Sequence, residues 1–264
     1  MGNKNLIYTC VFMNRDYINL LHLLMKSICL YSNIDRNNTD MLIYATKDIA
    51  NEICGKLAEF NDYKIPIFFH TYEEHEIVCI MQACSCRLQI FNNNFIHEYE
   101  KILYIDTDIL INGDINKLFN LQIDDDKIYA TESGYIGHIY WGAHHFDFDV
   151  FDRETKGLCS GVMLFRNSHI IKQLFSEIND HIWYVLNNDQ NMVTNVYDQP
   201  FINYAAIKQN KYDNQLINQY VVNNPEESYS KDVVIYHFLG GLGDGIAKYD
   251  KMLKYMERME NERL

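Results

Sequence analysis

Apolar positions in the first hundred residues fall into two alternating rhythms. Leu6 to Phe12 is a short, mostly apolar run that reads as a buried strand, and from Asp16 onward Leu20, Leu21, Leu23, Leu24, Ser27 and Ile28 recur at helical spacing. Met41 to Ala45 predicts a second strand, Asp48 to Phe60 a second helix and Ile65 to Phe69 a third strand. Such alternation builds a parallel sheet. Ile77 to Tyr99 reads as one helix, followed by the strand Lys101-Ile102-Leu103-Tyr104-Ile105, which ends in Asp106. Later strands are expected at Lys127 to Thr131, Gly161 to Arg166 and Val233 to Phe238, and helices at Ser168 to Leu186 and Pro200 to Gln209. A charged helix from Tyr249 to Arg263 is expected as a peripheral cover. With three Pro and twelve Gly and no Ser/Gly-rich or Pro-rich stretch, the chain shows no linker, so one α/β domain is the simpler reading.

Composition narrows the classes of function. Hydrophobic residues make up 48% of 264 positions, enough for a substantial core. The formal net charge is −13, which sets long-range repulsion against a nucleic-acid partner. An anionic nucleotide substrate meets the same repulsion, and a bound cation would relieve it. The seven Cys form no framework, and Cys84 and Cys86 are too close in sequence for an ordinary bridge or a C-x-x-C site. Reduced thiols fit a cytoplasmic setting. The apolar run Leu6 to Met13 lacks the length and cleavage site of a signal peptide, Leu6 breaks the myristoylation pattern begun by Gly2, and no run approaches a membrane span.

The candidate chemistry sits at the end of the fourth predicted strand. Asp106 and Asp108 flank Thr107, and two carboxylates separated by one residue can converge on a hard cation that also bridges a diphosphate, with Thr107 offering backbone to the ligand. In open α/β sheets ligands bind beyond the carboxyl ends of strands, because crossover loops diverge there. A bare D-x-D is more often just a turn closing a strand. A second enzymatic reading is a haloacid-dehalogenase-like phosphatase, in which D-x-D-x-[TV] supplies an aspartyl nucleophile; Leu110 breaks that pattern, while Gly243-Asp244-Gly245 with Asp250 faintly resembles its late acidic motif.

The remaining segments, in order from about residue 6 to residue 250, resemble glycosyltransferase family 8, the glycogenin and galactinol synthase relatives. Asn14-Arg15-Asp16-Tyr17 after the first strand resembles the family's opening N-x-x-Y, and Arg87-Leu88-Gln89-Ile90 its helix with a basic residue facing the donor. Tyr104 to Leu110 is similar to [YF]-h-D-x-D-h-L, with h apolar. Cys159-Ser160-Gly161-Val162 resembles N-[SA]-G-V, Asp198-Gln199 with Asn203 resembles D-Q-x-x-x-N, and His237-Phe238-Leu239-Gly240 resembles H-[FY]-x-G.

The resemblance implies a GT-A fold, a Rossmann-like mixed sheet flanked by helices, divided into a nucleotide-binding half (about 1–110), a sugar and acceptor half (about 111–248) and a C-terminal helix (249–264). It implies a retaining hexosyltransferase that moves glucose or galactose from a UDP-sugar to a glycan, polyol or protein acceptor, with a homodimer left open. Asp106, Asp108 and His237 would ligate the metal. Mn²⁺ suits an imidazole joined to two carboxylates better than Mg²⁺, the alternative. Val11, Asn14, Tyr17, Arg87, Thr107, Ser160 and Gly240 would complete the donor site, and Asp198 and Gln199 would lie beneath the transferred sugar. On their own, Asp198-Gln199 before Pro200 would be a helix start, and His237 a hydrogen-bonded strand residue.

Two departures bear on the donor. Gly243 stands where the family places a phosphate-binding Lys before Pro-Trp, with Lys248 as the candidate substitute, and Cys159 replaces an Asn able to bond a sugar hydroxyl. These departures motivate a third reading, a catalytically idle binder of sugar nucleotides. The aromatic stretch Gly134 to Lys156, with Tyr135, Tyr140, Trp141 and Phe146, falls on the acceptor side; His144-His145 lacks zinc spacing.

Overall fold

The computed structural model describes residues 4–60, 65–188, 192–194, 196–225, 230, 232–240 and 245–262. Asp189, Gln190, Gly243 and Asp244, named above, lie outside them. The first strand, β1 (Lys4–Val11), pairs in parallel with β2 (Thr39–Thr46) on one side and β4 (Tyr99–Ile105) on the other, and β3 (Ile67–Tyr72) extends the parallel array beyond β2. Then the direction changes. β7 (Lys156–Arg166) runs antiparallel to β4, β6 (Ile128–Tyr135) antiparallel to β7, and β8 (Tyr212–Asp213) parallel to β6, giving the order β3-β2-β1-β4-β7-β6-β8. A second sheet has three short strands in the order β5 (Ile109–Ile111), β10 (Ile235–His237), β9 (Val221–Asn223).

Strand alternation sorts the core onto two faces. Ile7 and Val11 of β1, Leu103 and Ile105 of β4 and Val162 and Leu164 of β7 pack with α1 (Asp16–Tyr31) and α2 (Lys47–Leu57). Leu6 and Tyr8, Ile102 and Tyr104, and Met163 and Phe165 face the other way, toward α3 (Ile80–Ser85), α5 (His169–Asn188) and α6 (Gln199–Lys208). Every residue of β2 is buried, as expected of a central strand covered on both faces.

Three expectations need correction. Ile77 to Tyr99 is not one helix: α3 gives way to 3₁₀ turns at Cys86–Asn92 and Ile96–Glu98, and Tyr99 already belongs to β4. The tighter winding buries Cys86, Arg87, Leu88, Ile90 and Phe91 together, more than one face of an α-helix could. The last helix, α7, spans Gly245–Asn261, four residues earlier than expected, and is not a peripheral cover. Its Met252, Tyr255, Met256 and Met259 pack with Leu20 and Leu23 of α1 and with Tyr236 and Phe238. Finally, β5 and β9 were not anticipated, nor was the four-residue helix α4 (Asn116–Phe119).

Candidate active site

The carboxyl ends of β1 and β4 open onto a cavity of about 750 Å³. Asp106 and Asp108 occupy the turn between β4 and β5, and His237 ends β10, whose register places it opposite Ile109. The two sheets thus meet at the acidic pair. One ligand atom from each of Asp106, Asp108 and His237 lies within 4.8 Å of the others. His237 Nε2 is 3.3 Å from Asp108 Oδ1 and 3.9 Å from Asp106 Oδ2. Asp108 Oδ1 is buried yet accepts no hydrogen bond, an uncompensated state that a cation would relieve. Gly161 leaves the necessary room, since a Cβ there would stand 2.2 Å from His237 Cε1 and 2.8 Å from Asp106 Oδ2. Two hard oxygens and a borderline nitrogen around such a space fit a divalent metal.

Two basic side chains flank the acids. Lys248, on α7, is buried and donates to Asp108 Oδ2 at 2.6 Å and to the Gly240 carbonyl at 3.2 Å. Burial alone would lift the Asp108 carboxyl, but His237 and then Lys248 hold it down to about 2. Arg87, in the 3₁₀ turn, donates from Nη1 to the Ser160 carbonyl at 2.9 Å and from Nη2 to Asp198 Oδ1 at 3.1 Å. Its Nε lies 2.8 Å from Asp198 Oδ2 without hydrogen-bond alignment, and Nη1 reaches Asp106 Oδ1 at 3.4 Å. The guanidinium also stacks over Tyr104, 4.6 Å from the ring centre, and the Tyr104 hydroxyl donates to Asp106. Burial pushes the Asp198 carboxyl up, and Arg87 limits the rise.

The sugar side is equally connected. Gln199 Oε1 accepts from the Ser160 amide at 3.2 Å and its Nε2 donates to the Tyr140 carbonyl at 3.2 Å. Asn203, fully buried, clamps Leu158 of β7 through both amide groups, at 2.8 and 3.0 Å. It is therefore a brace between α6 and β7. Asn14 accepts from the Asp16 amide at 2.9 Å, at the start of α1.

Of the residues singled out from the sequence, Asn14, Tyr17, Arg87, Asp106, Thr107, Asp108, Ser160, Asp198, Gln199, His237 and Gly240 all line this cavity. Val11 does not: it is 1% exposed and packs in the core beneath. Residues that no motif flagged also reach the cavity, among them Cys10, Met13, Cys84, Ser133 and Tyr197. Met13 and Tyr197 have φ of 62° and 49°, and the other positive-φ residues are Asn or Gly among the described residues. Left-handed backbone at a Met and a Tyr concentrates strain at the cavity wall.

A D-x-D turn at the end of a parallel strand, a distant His facing it and a sheet that reverses direction beyond that strand define a glycosyltransferase of the GT-A class. The chain belongs to glycosyl transferase family 8, whose sequence model matches residues 9–242. The glycosyltransferase GlyB of Streptococcus pneumoniae serotype 4 is 24% identical over 141 residues, 51% of this chain and 33% of GlyB. The chain thus spans about a third of the length of that curated relative. Among solved structures, the galactosyltransferase LgtC in complex with donor and acceptor sugar analogues has a TM-score of 0.60 at 12% identity, covering 94% of each chain. Mouse xyloside xylosyltransferase 1 has a TM-score of 0.58 at 12% identity, covering 89% of this chain and 97% of that one. The family match gives the phosphatase alternative no support. No helix among the described residues is long and apolar enough to cross a membrane.

Proposed function

We propose that the protein is a metal-dependent retaining hexosyltransferase that moves a sugar from a UDP-sugar to a glycan, polyol or protein hydroxyl, its two halves working as one domain. The carrying observation is the convergence of Asp106, Asp108 and His237 around a buried carboxylate oxygen that has no hydrogen-bond donor. Charge balance supports a cation there. Asp106, Asp108 and Asp198 face only Arg87 and Lys248, so the cavity holds one carboxylate in excess, and a nucleoside diphosphate would be repelled. A divalent metal, Mn²⁺ by its donor set, supplies Lewis-acid stabilisation of the departing diphosphate.

The chain's own residues perform the remaining work. Asn14 and Tyr17, at the mouth beside β1, bind the nucleoside. Lys248, paired with Asp108, is placed to transfer its charge to the diphosphate in place of the family's Lys. Asp198 and Gln199 bind sugar hydroxyls and stabilise positive charge on the ring as the anomeric bond to the diphosphate breaks. Arg87 holds Asp198 in position. The acceptor oxygen bonds to the anomeric carbon on the face the diphosphate leaves, and the acceptor's proton passes to the departing phosphate oxygen. Ser133, Tyr140, Trp141 and Tyr197 wall the side from which an acceptor enters. The seven free cysteines support a cytoplasmic location.

Calorimetric titration with UDP-glucose and UDP-galactose, with and without Mn²⁺, tests the reading. Wild-type protein should bind one of them only with metal, and Asp108→Ala should weaken that binding at least 100-fold, roughly 3 kcal/mol or more. Donor binding that ignores both metal and the substitution would overturn it.

A further inference from the structure

Resting on the metal reading, the inference here concerns what aims His237. Its Nδ1 lies 3.0 Å from Asn223 Oδ1, and the Asn223 amide nitrogen donates to Thr131 Oγ1 at 2.8 Å. The three residues come from three different strands: β10, β9 and β6. Parallel pairing places His237 directly beside Asn223, and a register shift between Ala130 and Thr131 makes Thr131, rather than a residue earlier in β6, the partner of Cys159. Bulges of this kind re-aim side chains. Thr131 and His237 are both almost fully buried, at 3% and 2% exposure.

A side-chain amide has one donor end and one acceptor end. With the donor end of Asn223 spent on Thr131, only its carbonyl oxygen faces the imidazole, so Nδ1 must carry the proton. The Cys159 sulfur, 3.8 Å from the same nitrogen, is the weaker and more distant alternative acceptor. A proton fixed on Nδ1 leaves Nε2 with its lone pair toward Asp106 and Asp108, the state a ligating imidazole requires. We infer that the Thr131–Asn223 pair is a positioning relay, which sets the tautomer and direction of His237 for metal binding from outside the cavity.

The test is Mn²⁺ alone, titrated calorimetrically into wild-type protein and the variants Asn223→Leu, Asn223→Asp and Thr131→Val. Loss of the acceptor in Asn223→Leu should weaken Mn²⁺ binding by roughly 10-fold or more, the usual scale for such outer partners. Asn223→Asp, which still accepts from Nδ1, should keep or exceed wild-type affinity, although it cannot donate to Thr131. In Mg²⁺-loaded protein, nitrogen-15 spectra should show a persistent His237 Nδ1–H that disappears in Asn223→Leu. A merely structural Asn223 predicts instead that the Leu and Asp variants weaken binding alike and leave that resonance unchanged, which would overturn the relay. Wild-type protein that binds no Mn²⁺ would remove the metal reading and the relay together, whereas unchanged binding in Asn223→Leu would remove the relay alone.

Discussion

At the scale of single residues, the site depends on what is missing as much as on what is present. Gly161 is required because any Cβ would enter the space bounded by His237 and Asp106. Gly161→Ala should therefore abolish Mn²⁺ binding and lower turnover by about 100-fold or more, while thermal denaturation shifts by only a few degrees, since an alanine in a strand is otherwise well tolerated. An unaltered Mn²⁺ affinity would show that the cation sits elsewhere. Arg87 illustrates the opposite case, a residue defined by its obligations. The sequence places it among donor-facing groups, but its guanidinium is divided between Asp198, Asp106 and the Ser160 carbonyl. Its charge is spent inside the protein, so its influence on substrate runs through Asp198.

At the scale of elements, α7 couples packing to the site. Met252, Met256 and Met259 seat it against α1 and β10, and the same helix carries Lys248 to Asp108. Met256, 1% exposed, should cost about 2–5 kcal/mol of stability when replaced by Ala, read from urea denaturation. Because the lost contacts loosen the helix that holds Lys248, donor affinity should fall in the same variant; a stability loss with intact donor affinity would separate Lys248 from the diphosphate. The elements also show what periodicity can and cannot reveal. β1, α1, β2 and β4 were legible because each carries a clean pattern over seven or more residues. Ile77 to Tyr99 misled because its apolar spacing suits a helix, while the chain must bury Cys86, Arg87 and Leu88 in succession, which only tertiary packing dictates. β5 and β9, three residues each, are too short to carry a period at all. Asn223 and Thr131 left no signal, since their meaning comes from strands that meet only in the folded chain. The D-x-D turn was legible as a candidate from its strand-end position, and its partners only from motif order.

At the scale of the whole molecule, stability should depend on pH on the acid side. His145 packs among His181, Phe201 and Tyr204, and burial, then His181 and His144, lowers its pKa to about 4. The unfolded chain takes up this proton near the ordinary value of 6.5, whereas the folded chain resists it until about 4. Stability due to the neutral ring is thus complete above 6.5 and is lost as pH falls toward 4, by on the order of 2 kcal/mol. His145→Phe should flatten that part of a denaturation-versus-pH curve; a curve identical to wild type would assign the acid sensitivity to other groups.

The placement of Asp106 and Asp108 has one more consequence. They stand where the chain leaves the seven-stranded sheet for the three-stranded one, and His237 reaches them from the far strand of that smaller sheet's pairing with β5. A cation held by all three would act as a rivet through a seam, joining segments more than a hundred residues apart in the chain. Loading the site would then set the mechanical stiffness of the junction as well as its charge, and the same ion that prepares the leaving group would keep the walls of the cavity from sliding apart.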